Sequence, residues 1–124
     1  MLTAANLVAF VAVTDLDRAR AFYEGTLALT LVTGSESALV FETRGTELRV
    51  TAVDDLTPAD HTVLGFDVAD ATRTATKLRD AGVELARFDS LDQDDLGIWT
   101  APDGTRIAWF RDPDGNLLSA VRYG

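Results

Sequence analysis

FRDPDGNLLSAVRY, Phe110 to Tyr123, joins a turn to a strand. Asp112-Pro113-Asp114-Gly115 forms the turn, because Pro presets φ at the first central position and Gly tolerates positive φ. Asn116 opens the next segment, and the apolar run Leu117 to Val121 reads as a strand entering a core. Ser119 stands in the middle of that run, a small polar residue where a buried one is expected. A similar stretch occurs earlier in the chain. RGTELRV, Arg44 to Val50, has the shape of DGNLLSA, Asp114 to Ala120, with Gly45 falling on Gly115.

Working outward from this pair, the chain reads as two related copies. Leu7 to Val13 is apolar throughout and predicts a buried strand. TDLDRARAFYEGTLAL follows, with Thr14 or Asp15 as N-cap and Asp17 in the first turn. Leu16, Ala19, Phe22 and Tyr23 recur at helical spacing, so Phe22 and Tyr23 are expected in the core. Strands are predicted over 29–33, 38–43 and 47–53. DDLTPAD, residues 54–60, is a polar connector. The pattern then restarts with a strand over 63–68, a helix over ATRTATKLRDAG ending at Gly82, and strands over 83–88, 96–100, 105–111 and 116–122. The second copy lies 55 residues later at the helix caps Asp15 and Asp70, and 70 later at the turns Gly45 and Gly115. It therefore carries about fifteen extra residues, expected around 89–104. A copy this small cannot bury its own sheet face, so two copies must share a core, within one chain or across a dimer.

Composition narrows the function classes. The chain has 124 residues, one domain by size, and 47% of them are hydrophobic. The expected organisation is a single domain over 1–124, with module one at 1–57 and module two at 58–124. There is no Cys, hence no disulfide and no thiolate site. Eleven basic residues against 20 acidic ones leave a formal net charge of −9. That balance argues against nucleic acid and anionic membranes as partners. It suits solubility, or a cationic small molecule. The first residues lack a basic stretch and a long apolar run, so no signal peptide is expected and a cytoplasmic location is the default. There is no Gly-x-Ser-x-Gly elbow, phosphate loop or dinucleotide fingerprint, and no cofactor is expected.

Two βαβββ units, with DLDRARAFYEGTLAL early and WFRDPDGNLLSAV late, resemble the vicinal oxygen chelate superfamily. This group includes glyoxalase I, bleomycin-resistance proteins and extradiol dioxygenases. The likeness spans nearly the whole chain and looks closest to small bacterial glyoxalase-like proteins. It implies an α+β fold in which two tandem βαβββ modules curl mixed sheets into a cup around a ligand, as a homodimer. Metal-using members carry His, Gln or Glu on the first and last strands of each module. The resemblance puts Val8, Arg49, Val63 and Ser119 at those places. Valine cannot coordinate a metal, a guanidinium stays protonated, and a serine hydroxyl is a weak neutral donor. No metal is expected there. The acidic loop Asp89, Asp92, Asp94 and Asp95 lacks the spacing of a Ca²⁺ loop and reads as solvated.

Other residues carry two readings each. His61, the single histidine, is a general base or displaced ligand at the cup rim, or a surface residue beside Asp60 at the strand entrance. Arg49 anchors an anionic group of the ligand, or pairs with an internal Asp or Glu, or faces solvent through a one-residue slip. Phe10 shares parity with Val8 and is expected to face the cup. Trp99 is a candidate ligand-stacking residue or a plug for the cup, and Trp109 belongs to the core or the pocket. The function expected is metal-independent binding of a small organic molecule in an apolar-aromatic cup. The alternatives are a lyase or isomerase of the glyoxalase type, using His61 or an acidic residue as base, and a ligand-free accessory domain.

Overall fold

Asp15 and Asp70 begin the two helices in the same way, in a computed structural model that describes residues 1–124. Each aspartate is in extended conformation, and its side chain accepts the backbone N–H three residues on, from Arg18 and Arg73. That satisfies one of the donors every helix start leaves open. The first helix, α1, runs Leu16–Arg20 and continues as a π-helical turn, Ala21–Thr26. Leu27 N–H bonds back to Phe22 C=O at 2.8 Å, closing the wider ring. In a regular helix consecutive residues diverge by about 100°, yet Phe22 and Tyr23 are both buried here. Their rings meet edge to face at 5.1 Å, and Tyr23 lies 6.2 Å from Phe41. These three form a buried aromatic cluster. The helix exits through Ala28 at φ 58°, a left-handed position that a residue other than glycine adopts at a cost.

The strands follow the alternation of the sequence. In the first half, β1 (Val8–Val13), β2 (Thr30–Gly34), β3 (Ala38–Thr43) and β4 (Thr46–Ala52) form one sheet in the order β1-β4-β3-β2. β1 runs parallel to β4, and the remaining pairs are antiparallel. Val11, Val13, Leu39, Phe41, Leu48 and Val50 are buried on the face that α1 packs against. The strand over 7–13 was expected to be buried throughout. Only its second half is: Val8 and Phe10 are 40% and 64% exposed, because they point to the face without a helix.

In the second half, β5 (Leu64–Asp67), β6 (Trp99–Thr100), β7 (Arg106–Arg111) and β8 (Leu117–Arg122) repeat the scheme as β5-β8-β7-β6. Helix α2 (Ala71–Asp80) ends at Gly82, whose φ of 86° closes the C-terminus. Ala71 and Ala75 pack with Ile98 and Ala108, small residues that bring helix and sheet close. The fold is thus α+β, built from two βαβββ-like modules with four-stranded mixed sheets. By chain contacts it divides into two compact units, Met1–Thr57 and Pro58–Gly124.

The strand expected over 83–88 does not form. Residues 81–98 are irregular, where the first unit has only the link 27–29. The extra length thus begins directly after α2, earlier than expected. Gln93 explains the loss of the strand. Its amide accepts from Phe88 N–H at 2.7 Å and donates to Ala86 C=O at 3.0 Å and Gly97 C=O at 2.7 Å. A side chain occupies backbone groups that a neighbouring strand would have paired. One bridge to the sheet survives, at Leu85 and Phe110.

Candidate functional site

In each unit the helix covers one face of the sheet, and the candidate residues lie on the other. On the second sheet, pairing sets Val63, Gly65 and Asp67 beside Leu117, Ser119 and Val121, and these beside Arg111, Trp109 and Ile107. Trp99 adjoins Ile107 at the outer end. Trp109 and Trp99 are half-buried with ring centroids 6.3 Å apart, and Phe88 meets Trp109 edge-on at 5.4 Å. Trp109 is therefore not in the core beneath α2. Its indole N–H donates to Thr62 Oγ1 at 3.2 Å, which holds the ring in place.

Ser119 sits beside Trp109 and is 8% exposed. No hydrogen bond joins its hydroxyl to the chain, and the atom keeps accessible surface, since no fully buried side-chain polar atom lacks a partner. On its other side is Gly65, which is exposed. A Cβ built on Gly65 would meet Ser119 Oγ at 3.1 Å, so the missing side chain is what leaves the hydroxyl accessible.

The first sheet fills the matching place with bulk. Phe10 pairs with Arg49 across β1 and β4, as Gly65 pairs with Ser119 across β5 and β8. Arg49 is half-exposed and forms an ion pair with Glu47 at 3.5 Å. Glu47 lies two residues away on the same strand face and opposite Val8. Arg49 thus has an acidic partner of its own, on the face expected from the repeat.

His61 is not on a strand. It lies in an exposed bend, and β5 begins only at Leu64. The parity argument that aligned it with Val63 therefore does not apply to its side chain. The acidic loop is exposed at Asp89, Asp92, Asp94 and Asp95. Asp94 Oδ1 is used locally, accepting from Leu96 and Ile98 N–H at 3.0 and 2.8 Å. No three His, Asp or Glu side chains converge as a metal site.

Sequence reasoning passed over Gly65, Thr62 and Phe88. Gly65 carries no chemistry of its own, though its place opposite Phe10 in the repeat was a usable signal. Thr62 and Phe88 gave none, because both act through long-range contacts to Trp109.

One family model, the glyoxalase/bleomycin resistance protein/dioxygenase superfamily, matches the chain over residues 5–119. The chain belongs to this superfamily. Among solved structures, it superposes on a glyoxalase family protein from Bacillus anthracis with a TM-score of 0.76 at 19% identity, covering 97% of this chain and 95% of that one. A superfamily member from Sphaerobacter thermophilus gives a TM-score of 0.75 at 22% identity, covering 98% and 99%. A lactoylglutathione lyase from Agrobacterium tumefaciens gives 0.76 at 18%, covering 96% and 93%. At these identities the likeness is one of fold. No curated protein matches the chain in sequence.

For a member of the glyoxalase superfamily, the residues at the metal positions are an unsuitable donor set. Val8 and Val63 offer only aliphatic carbon, Arg49 a fixed positive charge, and Ser119 one neutral oxygen. A neutral hydroxyl oxygen is a weak donor for a divalent ion. No helix of the chain is long and apolar enough to cross a membrane.

Proposed function

We propose that this superfamily member binds a small organic molecule on the helix-free faces of its sheets, without a metal at the family position. The observation that carries the reading is the donor set itself. All four places hold non-ligating or weakly ligating residues, while the second unit offers Trp109 in ring contact with Trp99 and Phe88, with the Ser119 hydroxyl beside Trp109. Binding sites for organic molecules combine such apolar and aromatic walls with a few placed polar groups. Val8, Phe10 and Val63 contribute further exposed apolar surface, at 40%, 64% and 39%. On the first sheet, Arg49, charge-balanced by Glu47, offers a cation to an anionic group that displaces the glutamate. The glyoxalase-type lyase or isomerase reading lacks a comparable support, since His61 has neither burial nor an orienting partner.

Two measurements test this. Protein purified without chelator is analysed for bound metal, and less than a tenth of an equivalent of any transition ion is expected. Stoichiometric metal at the sheet face overturns the reading. A thermal-shift screen of organic compounds should yield ligands that raise Tm in a dose-dependent way. A screen without any such ligand, across cationic, anionic and neutral classes, leaves the accessory-domain alternative. We further propose a single two-module domain that works as a cytoplasmic homodimer. Exposed Leu7 and Val32, at 72% and 62%, support a covering partner.

A further inference from the structure

We propose that Gly65 decides what the second sheet accepts. Its missing side chain leaves a notch beside Ser119, where a planar aromatic ligand lying against Trp109 sets a hydrogen-bonding edge group on the Ser119 hydroxyl. This rests on the small-molecule reading above and names the ligand class.

Three observations converge. Ser119 is 8% exposed, and its hydroxyl, which makes no hydrogen bond to the chain, keeps accessible surface, since no fully buried side-chain polar atom is left without a partner. A hydroxyl reached only through a narrow opening gains a directional hydrogen bond from whatever group fills that opening. An approach to it lies over Gly65, which is exposed and whose Cβ would come within 3.1 Å of Ser119 Oγ. Gly65 is not needed for backbone conformation, because its φ is not positive. In a strand interior, glycine is a poor choice on propensity, and close approach of another group is a standing reason for it. The second observation is Trp109, the other cross-strand neighbour of Ser119, about 5 Å away between Cβ atoms. Thr62 and Phe88 fix its ring, so a stacking surface exists before any ligand arrives. The third is the contrast between the modules. The same row reads Gly65-Ser119-Trp109 on the second sheet and Phe10-Arg49-Val40 on the first. Only the second has space next to a small hydroxyl and an aromatic wall, and the ligand's flat part belongs there.

The hydroxyl can donate to a ring nitrogen or carbonyl and accept from a ring N–H or phenol. A matched pair therefore tests it: quinoline, which carries an edge acceptor, against naphthalene, which has the same shape without one. 1-Adamantanol adds a hydroxyl on a rounded, non-planar frame. The protein has two tryptophans, hence two indole N–H signals in a ¹⁵N spectrum, assigned with Trp99→Phe. Quinoline is expected to shift the Trp109 signal saturably, with half-saturation roughly three- to tenfold below that of naphthalene, the worth of one hydrogen bond. Ser119→Ala should erase that preference. Gly65→Ala should weaken quinoline about tenfold or more while the remaining amide spectrum keeps its native dispersion. Quinoline binding that both variants leave unchanged overturns the proposal but leaves the small-molecule reading intact, as does equal or tighter binding of 1-adamantanol. Absence of saturable binding by either planar probe also overturns it. The small-molecule reading itself is tested separately, by the metal analysis and the thermal-shift screen.

Discussion

Asp112 is a buried carboxylate that organises the turn before β8. It accepts Asp114 and Asn116 N–H on Oδ1 at 3.0 and 2.9 Å, and Asn116 Nδ2 on Oδ2 at 2.8 Å. Asp112→Ala leaves these donors without partners in a buried turn, and a loss of about 1–3 kcal/mol is expected. Urea denaturation should show it as a lower midpoint at an unchanged slope. Asp103, at the exposed turn before β7, behaves differently. Hydrogen bonds from Thr105, first its backbone N–H at 2.9 Å and then its hydroxyl, hold the Asp103 carboxyl below its ordinary range. The folded state thus prefers the ionised form. Its contribution is present above the unfolded pKa and lost as pH falls through the lower, folded one. Asp103→Asn should therefore lower stability at neutral pH, and the gap to wild type should close under acid conditions. Thermal unfolding at several pH values checks this, and a gap that widens with acid contradicts it. At this scale the sequence was readable for turns and caps, since Asp-Pro-Asp-Gly and the capping aspartates act on backbone groups within four residues. Ser119 was readable only as a question, because its meaning depends on Gly65.

At the scale of elements, regular strands and helices followed their apolar periods, and the misread segments are those with competing hydrogen bonds. Residues 83–88 alternate like a strand, but Gln93 takes the backbone partners that a strand there would use. Gln93→Ala should loosen the 81–98 segment and free Phe88 from Trp109. Its three lost hydrogen bonds are expected to cost about 1–3 kcal/mol. Amide exchange at Phe88 should speed up markedly while that of β8 stays slow, and uniform exchange across the unit would deny Gln93 this local role. The π-helical turn at Ala21–Thr26 was likewise beyond periodicity. Helical spacing put Phe22 and Tyr23 in the core, where both are buried, but did not reveal the wider turn that carries them.

For the whole molecule, the net charge of −9 makes electrostatics a long-range term. Cationic members of an otherwise matched ligand series should associate faster than anionic ones, and the difference should shrink between low and physiological salt. Light scattering at micromolar concentration should give twice the 13.4 kDa chain mass if the exposed apolar residues meet a second copy. Leu7→Asp should shift that mass toward the monomer. The duplication, the α+β class, the caps and the absence of thiolate chemistry were determined by the sequence itself, because each depends on neighbouring residues or on simple composition. The row Gly65-Ser119-Trp109, the Arg49–Glu47 ion pair and the Trp99–Trp109 contact were decided only in three dimensions. Strand parity tells which face a side chain takes. Its neighbours across the sheet depend on hydrogen-bonded register between strands far apart in the chain, and on the loops that close between them.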